Sequence, residues 1–175
     1  MKFKTSLFSL LVIISCIACN TEEKKRAEKW TKIEKSVPQW EKYKVHPEVE
    51  AVFPQRPVSK TIGYDANITF YENFTVKDSV TYSVNIIENK SLKDAEAWKR
   101  FLNTEVLAFK SVERKNVKLF GKEAVLSKVR ENNLCGYSLN TIINESYIMN
   151  VSIRKVGDFP TEQLVMEYAG KVKIK

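Results

Sequence analysis

The sequence predicts an α+β fold with a mainly antiparallel sheet, and three observations point to this class. Residues from Val80 to Ile87 alternate between apolar and polar side chains, as a half-buried strand does. Gly121-Lys122 and Asn144-Glu145 each separate two strand-like segments, which is typical of hairpins and therefore of antiparallel pairing. Apolar residues at intervals of three and four follow Ser91 and Phe159, which indicates two amphipathic helices that cover the sheet.

Four short strands are predicted in the first half of the folded region. Alternating or β-branched residues bounded by turn signals place them at 49–53, 58–62, 68–71 and 80–87. Between the last two strands, residues 73–79 are polar, which predicts a loop. Four aromatic residues around the first hairpin are interpreted either as sheet core or as the lining of an exposed groove: Tyr64, Phe70, Tyr71 and Phe74.

A helix over residues 92–108 is expected to follow these strands. Ser91 is placed to cap its first turn, with Asp94 three residues further on. The apolar stripe of this helix predicts packing against the sheet, and it consists of Ala95, Trp98, Phe101, Leu102, Val106 and Phe109.

Two hairpins and a closing helix complete the predicted domain. The hairpin arms lie at 116–120 and 123–129, and at 136–143 and 146–153. Phe159-Pro160-Thr161 opens the last helix, because proline is favoured in a first helical turn. We expect the buried side of this helix to consist of Leu164, Val165, Tyr168, Ala169 and Val172.

Residues 1–18 have the layout of an export signal. Lys2 and Lys4 give a positive start, an apolar run spans 7–14, and small or apolar residues follow to Ala18. The run is too short for a transmembrane helix, which needs about 20 apolar residues. We therefore predict that residues 1–18 are a signal peptide.

The cysteine that follows this segment resembles the lipobox cysteine of bacterial lipoproteins. In that family, aliphatic and small residues precede a cysteine whose thiol takes a diacylglycerol, and the signal is cut just before it. Cys19 follows Ala18 and precedes polar residues, so it is the predicted lipidation site, with Cys16 as the alternative. The resemblance implies anchoring in the lipid bilayer through acyl chains such as palmitate, which hold stably when two or three are present.

A charged tether is predicted between the anchor and the folded domain. Residues 19–47 are rich in Lys and Glu and carry a weak helical pattern that Pro38 ends, and the folded domain is expected over 48–175. The chain has 29 Lys and Arg against 21 Asp and Glu, and we interpret its net charge of +8 as a solvated lysine-rich surface. Because export is predicted, nucleic acid is not an expected partner.

The order and spacing of the predicted elements resemble the PsbP-like fold, which includes the DcrB-type lipoproteins. The resemblance covers about residues 48–175 and implies an α/β/α sandwich and a binding or accessory role rather than catalysis. The matching segments are Val52 to Pro57, an "FPxxP" strand and turn, Tyr82 to Val84, Phe120 to Ala124, Ser146 to Val151, and Phe159 to Val172.

The sequence contains little that predicts catalysis, a metal or a cofactor. Its single histidine, His46, precedes Pro47 and is interpreted as a linker or edge residue. One histidine excludes the usual histidine-based metal clusters, and five glycines leave little room for phosphate-binding loops. If Cys16 is removed and Cys19 is acylated, Cys135 is left alone, so no internal disulfide is expected and Cys135 is interpreted as a small buried residue.

These observations predict a lipid-anchored, non-enzymatic binding or accessory module of the cell envelope. We expect it at the outer membrane, on the periplasmic or surface face, with a possible protein partner in the envelope. Two alternatives stay open. One is an envelope hydrolase with an unusual site around Cys135, Tyr137 and Ser138, and the other is an immunity-type inhibitor lipoprotein.

Overall fold

The computed structural model describes residues 40–64, 66–103, 111–145 and 147–175. The predicted signal peptide, Cys16, Cys19 and most of the predicted tether lie outside these residues. The described residues form ten strands and two helices within one compact unit, Trp40–Lys175. In chain order they are β1 (Glu41–His46), β2 (Val49–Phe53), β3 (Val58–Gly63), β4 (Ile68–Lys77), β5 (Val80–Asn89), α1 (Ala95–Asn103), β6 (Ser111–Leu119), β7 (Lys122–Glu131), β8 (Leu134–Ile143), β9 (Tyr147–Val156), α2 (Glu162–Gly170) and β10 (Lys173–Ile174).

Seven of the described strands form one sheet in the order β3-β4-β5-β9-β8-β7-β6. Every pairing that the structure describes in it is antiparallel. The sheet consists of two meanders, β3-β4-β5 and β6-β7-β8-β9, which meet where β5 pairs with β9. The predicted α+β class with a mainly antiparallel sheet and two helices is therefore confirmed.

Tight turns with left-handed backbone set the register of the hairpins. Asn144 and Glu145 have φ angles of 50° and 51°, and Phe120 and Gly121 have 52° and 75°. Positive φ at both central residues matches the right-handed twist of the flanking strands. The Asn144-Glu145 turn is thus confirmed, whereas the turn predicted at Gly121-Lys122 lies one residue earlier, at Phe120-Gly121, because Lys122 already belongs to β7. A third turn of the same kind joins β4 to β5 at Asp78-Ser79.

The polar segment 73–79, predicted as a loop, is mostly strand, because β4 continues to Lys77. Asn73 is buried, and its side-chain amide donates to the backbone oxygens of Val45 and Val84 at 3.3 and 3.2 Å. A buried polar residue is tolerated where hydrogen bonds satisfy it. The polarity of this segment therefore reflects internal hydrogen bonding rather than exposure to solvent.

A second, three-stranded sheet has the order β1-β2-β10, and its buried residues pack in one core with those of β5, β8 and β9. Its first strand pairs with β2 from Glu41 onward, so the folded domain begins at Trp40 and not at residue 48 as predicted. β1 shares the Lys- and Glu-rich composition of the preceding sequence, so composition alone does not mark this boundary. Only its last residues, Val45 and His46, are buried.

One face of the seven-stranded sheet is a continuous apolar core, and we call it the packed face. Strand alternation brings side chains from β5, β8 and β9 to this side: Val84, Ile86, Leu139, Met149, Val151 and Ile153. Helix α2 covers them with Val165, Tyr168 and Ala169, as predicted. Leu164, predicted to be buried, is 36% exposed.

Helix α1 lies on the opposite face of the sheet. Trp98 and Leu102 are buried there against Ile87 and Ile148. The helix begins at Ala95 and not at residue 92, because Asp94, rather than Ser91, accepts a first-turn hydrogen bond, from the Ala97 amide at 2.7 Å. Val106, Phe109 and the predicted end of the helix lie outside the described residues.

Candidate functional site

The described residues form a cavity of about 760 Å³ on the face of the large sheet that α1 covers in part. We call this the open face. A volume of this size is typical of small-molecule sites, which span about 300–1,000 Å³. The cavity is lined by Tyr64, Ile68, Phe70, Glu72, Phe74, Thr81, Ser83, Asn85, Ile87, Phe101, Asn150, Ser152 and Arg154.

The end of the cavity beside α1 is apolar. Phe70 of β4 pairs in register with Ile87 of β5, and Phe101 reaches this end from α1. The rings of Tyr64 and Phe70 lie 6.4 Å apart between centroids. Ile68 and Phe70 also pack against the small core beneath α1, which holds this wall in place.

The middle of the floor is polar and lies on the β5–β9 pairing. Ser83 is in register with Ser152, and their hydroxyl oxygens are 2.6 Å apart. Asn85 is in register with Asn150. The Asn85 side-chain oxygen accepts a hydrogen bond from the backbone N–H of Asn73 at 3.0 Å. This bond fixes the orientation of the Asn85 side chain and leaves its NH₂ group as a donor to the cavity.

Strand β8 supports this floor from the next position in the sheet. The Asn150 NH₂ group donates to Ser138 Oγ at 2.6 Å and to Asn140 Oδ1 at 2.7 Å. Ser138 and Asn140 are both buried. Because both bonds use the Asn150 NH₂ group, the side-chain oxygen of Asn150 stays available to the cavity as an acceptor.

Arg154 marks the far end of the cavity. It pairs with Thr81 of β5 and with Gly136 of β8. Gly136 makes room for it, because a Cβ at residue 136 would lie 2.9 Å from Arg154 Cγ. The guanidinium lies 3.7 Å from the Glu131 carboxylate, and the Arg154 side chain is 17% exposed. Burial lowers the pKa of Arg154, but an arginine remains a cation at neutral pH.

Polarity therefore changes along the strand direction. From Ile87 to Thr81, β5 passes from the apolar end through Asn85 and Ser83 to the arginine. The six residue steps from Ile87 to Thr81 span about 20 Å. Glu72 of β4 is the second charged residue of the lining and stands on the side wall, at the level of the polar middle.

The aromatic cluster predicted from the sequence divides between the two faces. Tyr64, Phe70 and Phe74 line the cavity, as the groove interpretation proposed. Tyr71 points to the other face, where its ring centroid lies 4.9 Å from that of His46. The polar floor and Arg154 were not predicted as site residues. A usable signal is the repetition of polar residues at every second position of β5, β8 and β9.

The residues of the proposed hydrolase site do not come together. Cys135 and Ser138 are both buried on β8, three residues apart, so strand alternation places them on opposite faces of the sheet. The Cys135 thiol is 3.4 Å from the Gly157 carbonyl oxygen. Tyr137 lies on the face away from Ser138, with its ring 6.2 Å from that of Phe159.

His46 was predicted to be a linker or edge residue, and it lies at the end of the edge strand β1, where its side chain is buried rather than exposed. Its Nδ1 atom accepts from the Glu48 amide at 3.2 Å, so in neutral histidine Nε2 carries the hydrogen and donates to Glu88 at 3.0 Å. The rings of Tyr71 and Tyr147 flank it. This cluster attaches β1 to the large sheet on the face away from the cavity.

The described residues show neither a metal-binding cluster nor a membrane-spanning helix. Within 40–64, 66–103, 111–145 and 147–175, no three His, Cys, Asp or Glu side chains are grouped so that they could hold a metal ion. Neither helix in the described part of the chain is long and apolar enough to cross a membrane.

No protein-family model matches the chain, and no curated protein matches its sequence.

Proposed function

We propose that this chain is a lipid-anchored binding module of the cell envelope and that the cavity on the open face is its binding site. The observation that carries the proposal is the combination of an apolar wall, a floor of amide and hydroxyl groups, and one arginine in a single cavity. Binding sites are typically concave and mostly apolar, with a few polar groups that orient the ligand.

The proposed role is binding rather than catalysis. The lining contains serine, threonine and asparagine side chains, one arginine and one glutamate. The histidine lies on the opposite face, bonded to Glu88, and the Cys135 thiol is buried away from the cavity. Serine hydroxyls that have no adjacent base are weak nucleophiles, but they are good hydrogen-bonding groups.

We further propose that the domain has a PsbP-like α/β/α arrangement. Helices on opposite faces of one antiparallel sheet support this assignment: α1 packs on Ile87 and Ile148, and α2 packs on the packed face. The envelope location and the anchor at Cys19 rest on the signal-like segment of the sequence.

The anchor is tested by the intact mass of the full-length chain extracted from membranes. The expected species begins at Cys19 and carries a diacylglycerol with or without a further acyl chain. Cys19→Ala should abolish the added mass, whereas Cys16→Ala should leave it. Acylation that persists in Cys19→Ala would contradict the assignment.

The binding site is tested by filling the cavity. Thr81→Trp places a large side chain in the lining, and Thr61→Trp, on exposed β3, is the matched control outside it. Full-length chains are isolated in polymer-bounded membrane discs. The small molecules that each chain retains are extracted with organic solvent and compared by mass spectrometry. We expect wild type and Thr61→Trp to retain a small molecule that Thr81→Trp lacks. Identical extracts from all three chains would refute the proposed site.

A further inference from the structure

We infer that the cavity binds a single-chain amphiphile with an anionic head, its acyl chain lying against the α1 end and its head at Arg154. This inference rests on the proposed binding function and names the chemical class of the ligand. The carboxylate of a fatty acid and the phosphate of a lysophospholipid share the required chemistry.

The first argument is the separation of polarity along one axis. A uniformly apolar ligand would leave the Asn85 NH₂ group and the Asn150 side-chain oxygen without a partner in the cavity, and burying such groups unsatisfied costs about 1–3 kcal/mol each. A uniformly polar ligand would leave Ile87, Phe70 and Phe101 in contact with water. A ligand that is apolar at one end and polar at the other satisfies both ends.

The second argument is the shape of the apolar end. Its walls are the side chains of Phe70, Ile68 and Phe101, on β4 and α1, and its floor is Ile87 on β5. The lining follows β5 from Ile87 to Thr81 over about 20 Å, which favours an extended chain over a compact ring system.

The third argument is the placement of charge. Arg154 is the cation among the described residues of the lining. Its planar guanidinium has five donors and can bind a carboxylate or phosphate while it keeps its contact with Glu131. Glu72, at the level of the polar middle, disfavours an anion there by repulsion between like charges. The anionic head is therefore placed at Arg154, and the chain points toward α1.

The test uses the full-length chain in the membranes of the cells that produce it. The probe is hexadecanoic acid with a photoreactive diazirine near the end of its chain. After irradiation, the labelled peptides are identified by mass spectrometry. We expect label on the peptides that contain Phe70, Ile87 and Phe101.

Competition and variants define the head group. Unlabelled hexadecanoate should compete about tenfold better than hexadecanol, the factor expected for loss of one charge-assisted hydrogen bond. Arg154→Gln should lower labelling by a similar factor, and Arg154→Lys should restore most of it. Lys155→Gln, which removes an exposed charge from the adjacent residue on the opposite face, is the matched control and should have no effect.

The outcomes separate this inference from the proposed function. Cavity peptides labelled equally in wild type and Arg154→Gln, with hexadecanol competing as well as hexadecanoate, would overturn the anionic class and leave the binding site in place. Label found only outside the cavity would overturn both. Lysophosphatidate competing better than hexadecanoate supports a phosphate head, and the reverse supports a free carboxylate. If Arg154→Gln does not fold, labelling of Arg154→Lys and the competition between hexadecanoate and hexadecanol in wild type still test whether the head group is anionic.

Discussion

The packed face and the open face of the seven-stranded sheet come from the same strands, but they bury different chemistry. On β5, β8 and β9, one set of alternate residues is dominated by Val, Ile, Leu and Met beneath α2, and the other contains Ser, Asn and Arg beneath the cavity. The packed face stabilises the domain by removing apolar area from water. The open face uses its buried groups to hold one another in position and to present donors and acceptors.

Burial alone therefore does not distinguish a core residue from a site residue. Leu139 and Ser138 are neighbours on β8, and both are buried. Leu139 contributes through packing, whereas Ser138 accepts a hydrogen bond from Asn150 at 2.6 Å and thereby positions a floor residue. The following changes separate these two kinds of burial.

The largest effect is expected for Leu139→Ala on the packed face. Removing a fully buried leucine side chain from a close-packed core lowers the free energy of unfolding by about 2–5 kcal/mol. Chemical denaturation of the full-length chain measures the loss. Leu164→Ala on the exposed side of α2 is the control and should cost much less.

The counterpart on the open face is Ser138→Ala, which should cost about 0.5–1.5 kcal/mol, because Asn150 keeps its bond to Asn140. Its larger consequence should be weaker labelling of the cavity by the photoreactive acid. Equal destabilisation by Leu139→Ala and Ser138→Ala would remove the distinction between the faces.

Gly136→Ala tests the contact that seats Arg154. A Cβ at this position would lie 2.8 Å from Arg154 Cα and would meet the Ile153 carbonyl oxygen, so the β8–β9 pairing has to shift. Such overpacking costs about 1–3 kcal/mol, measured by denaturation. Gly63→Ala, where nothing lies within 4 Å of the added Cβ, should be close to neutral. A neutral Gly136→Ala would show that the seat of Arg154 is not tightly packed.

The smallest effect at neutral pH is expected for Tyr168→Phe. The Tyr168 hydroxyl is buried on the packed face without a hydrogen-bond partner among the described residues, so its loss should change the free energy of unfolding by less than about 1 kcal/mol. Burial raises the pKa of Tyr168. The unfolded chain therefore loses this proton at a pH near 10, where the folded chain still holds it, and stability falls as pH rises further.

In Tyr168→Phe the decline of stability above pH 10 should be shallower, by up to about 1.4 kcal/mol per pH unit. Denaturation between pH 9 and 11.5 measures the slope, with Tyr64→Phe, an exposed tyrosine, as the control. Identical slopes in wild type and Tyr168→Phe would mean that the buried hydroxyl finds a partner or loses its proton within the fold.

The strands and turns with local signals could be predicted from the sequence. The alternation of β5, the glycine turn at Gly121 and the Asn144-Glu145 turn depend on neighbouring residues, and all three are present. The second half of β4 could not be predicted, because Asn73 is satisfied by the distant backbone of Val45 and Val84.

The site was harder to predict for the same physical reason. Its floor joins residues far apart in sequence, such as Ser83 and Ser152, whose contact depends on the pairing of β5 with β9. Nothing near either serine indicates its partner. The role of Gly136 likewise becomes visible only when Arg154 lies across it.

The junction between the two meanders also has a consequence for how the chain folds. The neighbouring strands within each meander are joined by short turns, so their contacts form locally and at low entropic cost. The β5–β9 junction instead requires closure of the chain between Asn89 and Tyr147. The floor of the cavity is completed only by this long-range pairing. A ligand held across the floor therefore favours the assembled state by mass action and should slow the separation of the two meanders.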